Sequence, residues 1–304
     1  MELRQLKYFV KTAETLNFSE AARCLYITQS TLSQQIKALE DELNSPLFIR
    51  DSHSVSLTEC GERMLPLARQ TLIDADTCKS QIRDLQEILS GTLNIGATYS
   101  FNPILIETVD SFMSRYPGVR INITNRSMEE LLGMLKRREI DFVLAFKPVL
   151  PYDEIESKTL FDDHLSVIMR RSHPLAQERS LSIEQILRHR LALPAKGLQA
   201  RNLIDRYFNF DSEGTNVSLE INGVYSLLDI VERTSLLTIL SDATIRDRGT
   251  LTAIPLDVPD NQMQGCVHTL KKIYQKRSAE VFIKMLRESL ALMELSGKWD
   301  LIVK

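Results

Sequence analysis

The stretch from Phe18 to Phe48 constrains the fold of this chain more than any other. Ser19 is predicted to be the N-cap of a first helix through Leu25, because its hydroxyl can accept a hydrogen bond from the first turn. Thr28 is a second predicted N-cap, and the helix that follows it should end near Leu43. Its apolar residues are spaced four, three and four apart, at Leu32, Ile36, Leu39 and Leu43. This spacing gives one buried stripe, so the stretch predicts two helices joined by a tight turn.

The opposite face of the second helix carries small polar and amide side chains. The candidate DNA-contacting residues on this helix are Gln29, Ser30, Thr31, Ser33, Gln34 and Lys37. Gln can pair bidentately with adenine, and Ser can donate to or accept from several base edges. In a helix-turn-helix, the second helix enters the major groove with its N-terminal residues on the bases. The alternative is an ordinary amphipathic helix whose polar face is only solvated.

The charge balance of residues 1–58 argues against DNA binding by charge alone. The segment contains six basic and seven acidic residues, which gives −1 before the N-terminal amine is counted. A DNA-binding domain often has a basic footprint, so here the charges must be segregated. Residues 27–36 contain no acid, whereas Glu40, Asp41 and Glu42 lie at the far end of the second helix. We therefore expect one copy to bind DNA weakly and the affinity to depend on dimerisation.

The motif extends beyond these two helices. Its order is Phe18-Ser19-Glu20-Ala21-Ala22, Gln29-Ser30-Thr31-Leu32-Ser33, Gln35-Ile36, Leu39-Glu40, Leu43, Pro46-Leu47-Phe48, Arg50 and Leu57-Thr58-Glu59-Cys60-Gly61. In this order the chain resembles the N-terminal domain of LysR-type transcriptional regulators. The resemblance implies a winged helix-turn-helix DNA-binding domain over residues 1–58. Asn44 and Cys60 depart from the family pattern, which usually has glycine and a small residue there, but Asn tolerates the left-handed conformation of a helix C-cap.

The same resemblance implies a wing, a short hairpin between Leu47 and Leu57. Arg50 and His53 would then lie near the phosphate backbone or the minor groove of DNA. The alternative for Arg50 is a surface ion pair with a nearby carboxylate.

A single long helix is predicted after the wing, over residues 59–90. Its apolar residues recur three or four apart, at Leu65, Ala68, Leu72, Ala75, Cys78, Ile82, Leu85 and Leu89. A polar helix with a narrow apolar seam buries little by itself and favours a partner. In the LysR-type family this linker helix forms the dimer contact. The alternative is a helix that packs on its own domain, and Pro66 is expected to bend its start.

Beyond Gly91 the pattern alternates between strands and helices, which indicates a largely parallel α/β sheet. Strands are predicted at Phe142–Phe146, Val217–Ile221, Leu251–Pro255, Leu165–Arg170 and Val267–Tyr274, of which Phe142–Phe146 is expected to be buried, with a last helix over Ala279–Leu295. The fold class expected overall is α/β. The family resemblance implies a bilobed effector-binding domain over residues 91–304, of the type 2 periplasmic-binding-protein-like fold. Lobe 1 would comprise about 91–163 and 268–304, and lobe 2 about 164–267, with crossings near Phe161–His164 and Cys266–Thr269.

Hydroxyls follow two strands of the predicted first lobe. In open α/β sheets ligands bind beyond the carboxyl ends of the strands, and helix N-termini there favour small anions. The family pattern implies effector-contacting hydroxyls at Thr98, Ser100 and Ser127, and the matching turn of the second lobe adds Gln199. The alternative is that these residues only cap their helices. Arg126 could balance an anionic ligand or pair with Glu129 or Glu130.

Two segments after Gly91 narrow the resemblance within the family. Ala145-Phe146-Lys147-Pro148-Val149 and the segment from Arg233 to Leu240 resemble the cyanate-operon regulator subgroup. That similarity does not identify an effector.

Composition and missing motifs exclude several other classes. The net charge of −3 argues against general polyanion binding. The four cysteines lie far apart without metal-ligand spacing, so we expect reduced thiols, no metal site and no cofactor. Neither a signal peptide nor a membrane-spanning run is predicted, which indicates a cytoplasmic protein and argues against an exported solute-binding protein. Enzyme motifs are missing, and Asp162-Asp163-His164 is expected to be solvated rather than catalytic.

These observations together predict a transcription regulator and not an enzyme. Its expected partners are an operator in double-stranded DNA and a small-molecule effector, for which an anion is one candidate class. We also expect a homodimer or homotetramer and no membrane contact, and a contact with RNA polymerase is compatible with this function.

Overall fold

The computed structural model describes residues 1–51, 54–85, 89–210, 216–246, 248–259 and 261–289. The chain divides into two compact units, Met1–Glu87 and Ile88–Lys304, here called unit 1 and unit 2. No helix within the described ranges combines the length and apolarity needed to cross a bilayer.

Unit 1 contains four helices and a hairpin. They are α1 (Leu3–Thr15), α2 (Phe18–Cys24), α3 (Gln29–Leu43), β1 (Phe48–Arg50), β2 (Val55–Leu57) and α4 (Glu59–Leu85). Strands β1 and β2 pair antiparallel, with Phe48 opposite Leu57. The predicted wing is therefore confirmed, although the turn at its tip, residues 52–53, lies outside the described residues.

The start and end of α3 follow the prediction. The Thr28 hydroxyl accepts a hydrogen bond from the Thr31 N–H at 3.2 Å, and Asn44 ends the helix in the left-handed conformation with φ 50°. The start of α2 does not follow it. Asn17, not Ser19, is the N-cap, because its side chain accepts from the Glu20 N–H at 3.0 Å while the chain is already helical at Phe18.

The core of unit 1 is built on the apolar stripe of α3. Leu32, Ile36 and Leu39 are fully buried, but the prediction for Leu43 is wrong, because this last residue of the stripe is 39% exposed. The stripe shares its core with an aromatic group in which the rings of Phe9 and Phe18 lie 5.5 and 5.6 Å from that of Phe48. The wing is thus fastened to the helices by its first residue, Phe48.

Unit 2 alternates strands and helices. Its first part contains β3 (Gly91–Ala97), α5 (Asn102–Arg115), β4 (Val119–Asn125), α6 (Met128–Lys136), β5 (Phe142–Phe146) and β6 (Ile155–Arg170). The rest contains α7 (Ile183–Ile186), β7 (Leu191–Pro194), α8 (Gln199–Ile204), β8 (Val217–Ile221), α9 (Val224–Arg233), β9 (Thr238–Ser241), β10 (Leu251–Pro255), β11 (Gln262–Leu270) and α10 (Arg277–Arg287). Part of the predicted last helix, residues 290–295, lies outside the described residues.

The sheets of unit 2 are mixed rather than largely parallel. Strand β3 lies parallel to β4 and β5, and β7 lies parallel to β8. Strand β11, however, runs antiparallel to β5 and β6, and β6 also pairs antiparallel with β9 and β10. The sequence did not indicate this pairing, because only the second half of β6, Leu165–Arg170, has the apolar sequence that predicts a buried strand. In the structure β6 is one long strand.

Strand β6 connects the two halves of unit 2. Residues 155–164 pair with β11, and residues 165–170 pair with β9 and β10. Strand β11 already starts at Gln262, opposite His164, four residues before the predicted return at Cys266. The last helix packs on the first half of the unit, since the ring of Phe282 lies 5.1 Å from that of Phe112 in α5.

Candidate functional site

The outer face of α3 presents the predicted base-reading amides to solvent. Gln29, Gln34 and Lys37 are all exposed. Within the described part of the chain the Lys37 ammonium forms no ion pair, so its charge is available for an external anion. This arrangement suits a helix that reads base edges through amides and meets one phosphate through a lysine.

The hydroxyls at the start of α3 form a cluster. The Thr28 oxygen lies 3.0 Å from the Ser30 hydroxyl and 2.8 Å from the Thr31 hydroxyl. Ser30 and Thr31 are exposed, yet both hydroxyls already have a partner in the cap. Their geometry supports the helix start, and a contact of either residue with DNA stays a prediction.

Arg50 is held by groups of its own unit. Its guanidinium donates to Glu40 Oε2 at 2.8 Å and to the Ser33 hydroxyl at 3.4 Å, and lies 4.7 Å from the centre of the Phe18 ring. The surface ion pair, which was the alternative for Arg50, is thus present in the structure. A DNA contact of Arg50 stays a prediction, and His53 lies outside the described residues.

Glu40 is the organising residue that sequence reasoning missed. One carboxylate oxygen accepts from the N–H groups of Leu47 and Phe48 at 2.9 and 3.2 Å, and the other accepts from Arg50. One side chain of α3 therefore holds both the backbone and the arginine of the wing. In the sequence, Glu40 stands out only as part of the Leu39-Glu40 pair of the motif, and this pair does not indicate what the carboxylate binds.

Most acids of residues 1–58 are neutralised within unit 1. Five of the seven form ion pairs, namely Glu2, Glu14, Glu20, Glu40 and Glu42. At the acidic end of α3, Glu40 pairs with Arg50 of the wing and Glu42 with the N-terminal amine, whereas Asp41 forms no ion pair among the described residues. The expected segregation of charge is therefore present.

The first half of helix α4 packs on its own unit, and a dimer contact through the helix stays a prediction. Leu65, Ala68 and Leu72 of the predicted seam pack on the core of unit 1, as the alternative required. Leu67 and Ile82 are 69% and 58% exposed on the same helix. A surface for a second copy would therefore contain Leu67 and Ile82, and the first half of the predicted seam is not available for it.

All four predicted effector-contacting residues line one pocket in unit 2. Thr98, Ser100 and Ser127 come from the ends of β3 and β4, and Gln199 is the first residue of α8. The space between these residues is about 440 Å³, which includes open solvent at its mouth. The rest of its lining is Tyr99, Arg126, Met128, Phe146, Leu198, Ala200, Val224, Leu240, Ser241 and Met263. The site is a mainly apolar chamber with a few hydroxyls and one arginine.

A chain of hydroxyls joins the two halves of this pocket. The Thr244 hydroxyl donates to the Ser100 hydroxyl at 3.3 Å and lies 3.1 Å from that of Ser241. Thr98 is buried, and its hydroxyl donates to the Leu144 carbonyl at a long 3.5 Å. Thr98 is thus held in the wall with acceptor positions left for a ligand, whereas Ser100, which accepts from Thr244, keeps its O–H for one.

The side chains of Ser127 and Arg126 differ in their hydrogen bonds and ion pairs. The Ser127 hydroxyl donates to Glu130 at 2.6 Å in a capping box of α6, and this hydrogen bond holds the pKa of the Glu130 carboxyl below its usual value. Helix capping, the alternative for Ser127, is therefore present. Arg126 is exposed and forms no direct ion pair among the described residues, although its charge contributes to the lowered pKa of the Glu130 carboxyl. Its guanidinium is an exposed positive charge at the pocket.

Gln199 is positioned by helix α8 and not by a hydrogen bond of its side-chain oxygen. The side-chain oxygen is buried and accepts no hydrogen bond from the described chain. Two residues further on, the buried Arg201 fastens α8 through ion pairs to Asp205 at 2.7 Å and to Glu220. A buried amide oxygen without a donor is costly, and a ligand donor in the pocket would satisfy it.

The cluster at the crossing of β6 is only partly solvated. Asp163 is buried, contrary to prediction, and accepts from the backbone N–H groups of His164 and Ala243 at 2.8 and 3.3 Å. Burial, with the charge of Asp242 as a lesser cause, raises the pKa of the Asp163 carboxyl. His164 Nε2 lies 3.1 Å from Asp242. These three groups could meet around a cation, but their mutual contacts already account for their arrangement.

The four cysteines differ in their exposure to solvent. Cys24, Cys60 and Cys78 are exposed, whereas Cys266 is buried and its pKa is raised by that burial. A thiol whose pKa is raised is mostly protonated at neutral pH and reacts slowly.

Comparison with known proteins bears on both units. The family model described as a bacterial regulatory helix-turn-helix protein, lysR family, matches residues 3–62. The model of the LysR substrate binding domain matches residues 86–291. The two matches together cover most of the chain and the whole of the motif between Phe18 and Gly61.

Individual relatives agree with these matches. The regulator BudR of Raoultella terrigena is 34% identical over 188 residues, which are 61% of this chain and 65% of BudR. The activator CmpR of Synechocystis is 28% identical over 220 residues, 72% of each chain. The crystal structure of full-length CbnR with its target DNA, 19% identical, covers 95% of this chain and 99% of CbnR with a TM-score of 0.67, which supports the fold alone. The chain belongs to the LysR family of bacterial transcriptional regulators, with a DNA-binding helix-turn-helix domain and a LysR substrate-binding domain.

Proposed function

We propose that this regulator binds an operator through α3 and that a small anionic effector in the unit 2 pocket modulates this binding. The observation that carries the proposal is the pocket lining, which combines the hydroxyls of Thr98 and Ser100 with the exposed guanidinium of Arg126. Arg126 and the O–H of Ser100 suit a carboxylate, the Thr98 oxygen suits a donor group of the ligand, and the apolar remainder suits a hydrocarbon body.

The effector would act by changing how the two halves of unit 2 close. A carboxylate that accepts from the Ser100 O–H would extend the hydrogen bond that Ser100 accepts from Thr244, which joins the halves at the pocket wall, and would so favour their closure. Through the linker helices this change would alter the spacing of two recognition helices and thereby the bending of the operator. The coupling needs no more than a difference in effector affinity between the open and closed arrangements.

The regulator would act as a homodimer or homotetramer on DNA in the cytoplasm and, at the promoter, together with RNA polymerase. The exposed Leu67 and Ile82 of α4 support pairing through this helix. Two recognition helices would compensate for the few phosphate contacts that one slightly acidic domain can make. The domain boundaries proposed with this function are 1–58, 59–90 and 91–304.

The deciding experiment is binding of the full chain to its own upstream intergenic DNA. We expect a sequence-specific complex with two or four chains per operator, measured by gel retardation and by sedimentation of the complex. Lys37→Ala should weaken this complex and lower the slope of log K against log salt by about 1 for each phosphate that is no longer neutralised. The reason is that Lys37 is exposed and unpaired on the face that would meet the groove.

The matched control for this experiment is Lys7→Ala. Lys7 is an equally exposed lysine of unit 1, but it lies on α1. The control should bind with the affinity and salt slope of the unchanged chain. Equal weakening by both variants would show a general charge effect, and the absence of any sequence-specific complex at low salt would sink operator binding itself.

The pocket is tested by Thr98→Val, which keeps the shape of the side chain and removes its hydroxyl. We expect the variant to bind the operator normally but to need about tenfold more effector, which corresponds to one net hydrogen bond of about 1.4 kcal/mol. The measurement is operator affinity during titration with small organic acids, each beside its neutral amide. The amides should act more weakly, because Arg126 cannot form an ion pair with them.

Thr92→Val is the matched control for the pocket variant. Thr92 lies on the same strand, β3, but is exposed and does not line the pocket. Its variant should respond like the unchanged chain. If Thr98→Val also responds normally, the pocket has been assigned wrongly.

A further inference from the structure

Tyr26 occupies a backbone position that favours glycine. It follows the end of α2 with φ 57°, in the left-handed region. Its N–H donates to the Arg23 carbonyl at 3.2 Å, and the N–H of Ile27 donates to the Ala22 carbonyl at 3.1 Å. These two hydrogen bonds form the Schellman ending of a helix, in which the left-handed residue is usually glycine and sometimes asparagine. The Cβ of a tyrosine is sterically strained in this conformation, whereas glycine has no Cβ.

The ring of Tyr26 is not buried against the rest of the described chain. It is 96% exposed, the highest value among the large apolar side chains that the structure shows as exposed. Its neighbours Leu25 and Ile27 pack on the unit 1 core, so the turn is already anchored without it. Neither backbone preference nor packing accounts for tyrosine at this position, and such local conflicts are most common at functional sites.

The place of Tyr26 suggests what it contacts. It lies two residues before Thr28, the N-cap of α3, at the end of the helix that meets the bases. We propose that the Tyr26 hydroxyl donates a hydrogen bond to a backbone phosphate of the operator. A phenol is one of the side chains that commonly bind phosphate oxygens, and such contacts fix the register of a recognition helix without reading sequence. The inference rests on the operator binding proposed above and adds a residue that neither the motif nor the charge pattern singles out.

Two substitutions at Tyr26 separate binding from stability. Tyr26→Gly relieves the left-handed strain, so unit 1 should unfold at a higher urea concentration while the affinity for DNA falls. Tyr26→Phe keeps the ring and removes only the hydroxyl. Both variants should lose affinity by about tenfold or more per protomer, as expected for one hydrogen bond to a charged group. The decrease should be equal on the operator and on a scrambled duplex, because a phosphate contact is independent of sequence.

The control is Leu16→Gly in the full chain. Leu16 ends α1 with φ 49°, so it offers the same left-handed position at a helix end that lies before α2. Its glycine variant should bind both duplexes like the unchanged chain. Fluorescence anisotropy of labelled duplexes and urea unfolding followed by circular dichroism provide the two readouts.

The outcomes are distinguishable. If the unchanged chain forms no specific complex, operator binding itself fails. If it binds and Tyr26→Gly binds equally well, or less well but only on the operator, the phosphate contact is overturned. If Tyr26→Phe matches the unchanged chain, the ring and not the hydroxyl is responsible, and the proposal is overturned in its stated form. Lower stability of Tyr26→Gly would refute the argument that the chain gains nothing from this side chain.

Discussion

Replacing Gly61 by alanine is expected to destabilise unit 1 by about 3 kcal/mol, at the upper end of what an added methyl group costs in a packed core. Gly61 lies in the first turn of α4, where an added Cβ would approach the Leu47 carbonyl oxygen to 2.3 Å and a Leu57 methyl to 2.9 Å. The nearest atom belongs to the backbone of the wing, so no side-chain rotation relieves the overlap.

The surroundings of Gly61 are fixed by hydrogen bonds. The Thr58 hydroxyl donates to the Pro46 carbonyl at 2.7 Å and accepts from the Gly61 N–H at 3.0 Å. The same Leu47 carbonyl accepts from the Thr58 N–H at 3.0 Å. An added methyl group must therefore push apart the start of α4 and the base of the wing. Operator affinity should fall with stability, because Glu40 holds the wing at the same segment.

The control for Gly61 is the same substitution in another helix. Gly133 lies within α6, where an added Cβ would meet only the flexible end of Arg137, at 3.3 Å. Gly133→Ala should stabilise the chain by about 0.5–1 kcal/mol, since alanine is the better helix former. Urea unfolding with hydrogen exchange to locate the effect in unit 1 or unit 2 measures both. Unchanged stability of Gly61→Ala would show that the wing can move away from α4.

The sequence was sufficient to predict a strand or a helix end where the residue pattern and the neighbouring turn or cap residues indicated the same structure. The strands at Phe142–Phe146, Val217–Ile221 and Leu251–Pro255 were predicted with their observed bounds, because each is a short run of apolar or alternating apolar and polar residues between turns. Thr28 and Asn44 were recognised because cap chemistry depends on the residue itself. The missed cap at Asn17 shows the limit, since Ser19 has an equally suitable hydroxyl and only the backbone decides between them.

The parts that could not be predicted depend on long-range pairing. The first half of β6 is polar and reads as a loop, and it is a strand only because β11 pairs with it from about one hundred residues away. The roles of Glu40 and of the buried Asp163 follow from contacts between elements, which periodicity cannot supply. The pocket residues were found because turns after parallel strands meet at one edge of a sheet, a rule that needs only the order of the elements.

Arg201→Met is the second substitution with a large expected effect, a decrease of about 3 kcal/mol in the stability of unit 2. Arg201 is 1% exposed; its guanidinium pairs with Asp205 and Glu220 and donates to the Pro194 carbonyl at 3.4 Å. Removing one member of a buried ion pair typically costs about 3–5 kcal/mol, because the partners are left without their counter-charge. We expect the lower end of this range, since Asp205 and Glu220 are 33% and 40% exposed and water can solvate them. Methionine keeps most of the apolar volume, so the decrease in stability is caused by the lost charge rather than by a cavity.

Arg206→Met separates this buried pairing from the general effect of removing an arginine. Arg206 is exposed just after α8, and its substitution should change stability by no more than about 0.5 kcal/mol. Because α8 carries Gln199 and Ala200 of the pocket, Arg201→Met should also weaken the response to effector while operator affinity without effector is retained. Chemical unfolding and effector titration on the same preparations test both statements. A variant as stable as Arg206→Met would mean that α8 is held by its apolar contacts, and that the buried guanidinium only fills space beside Phe210.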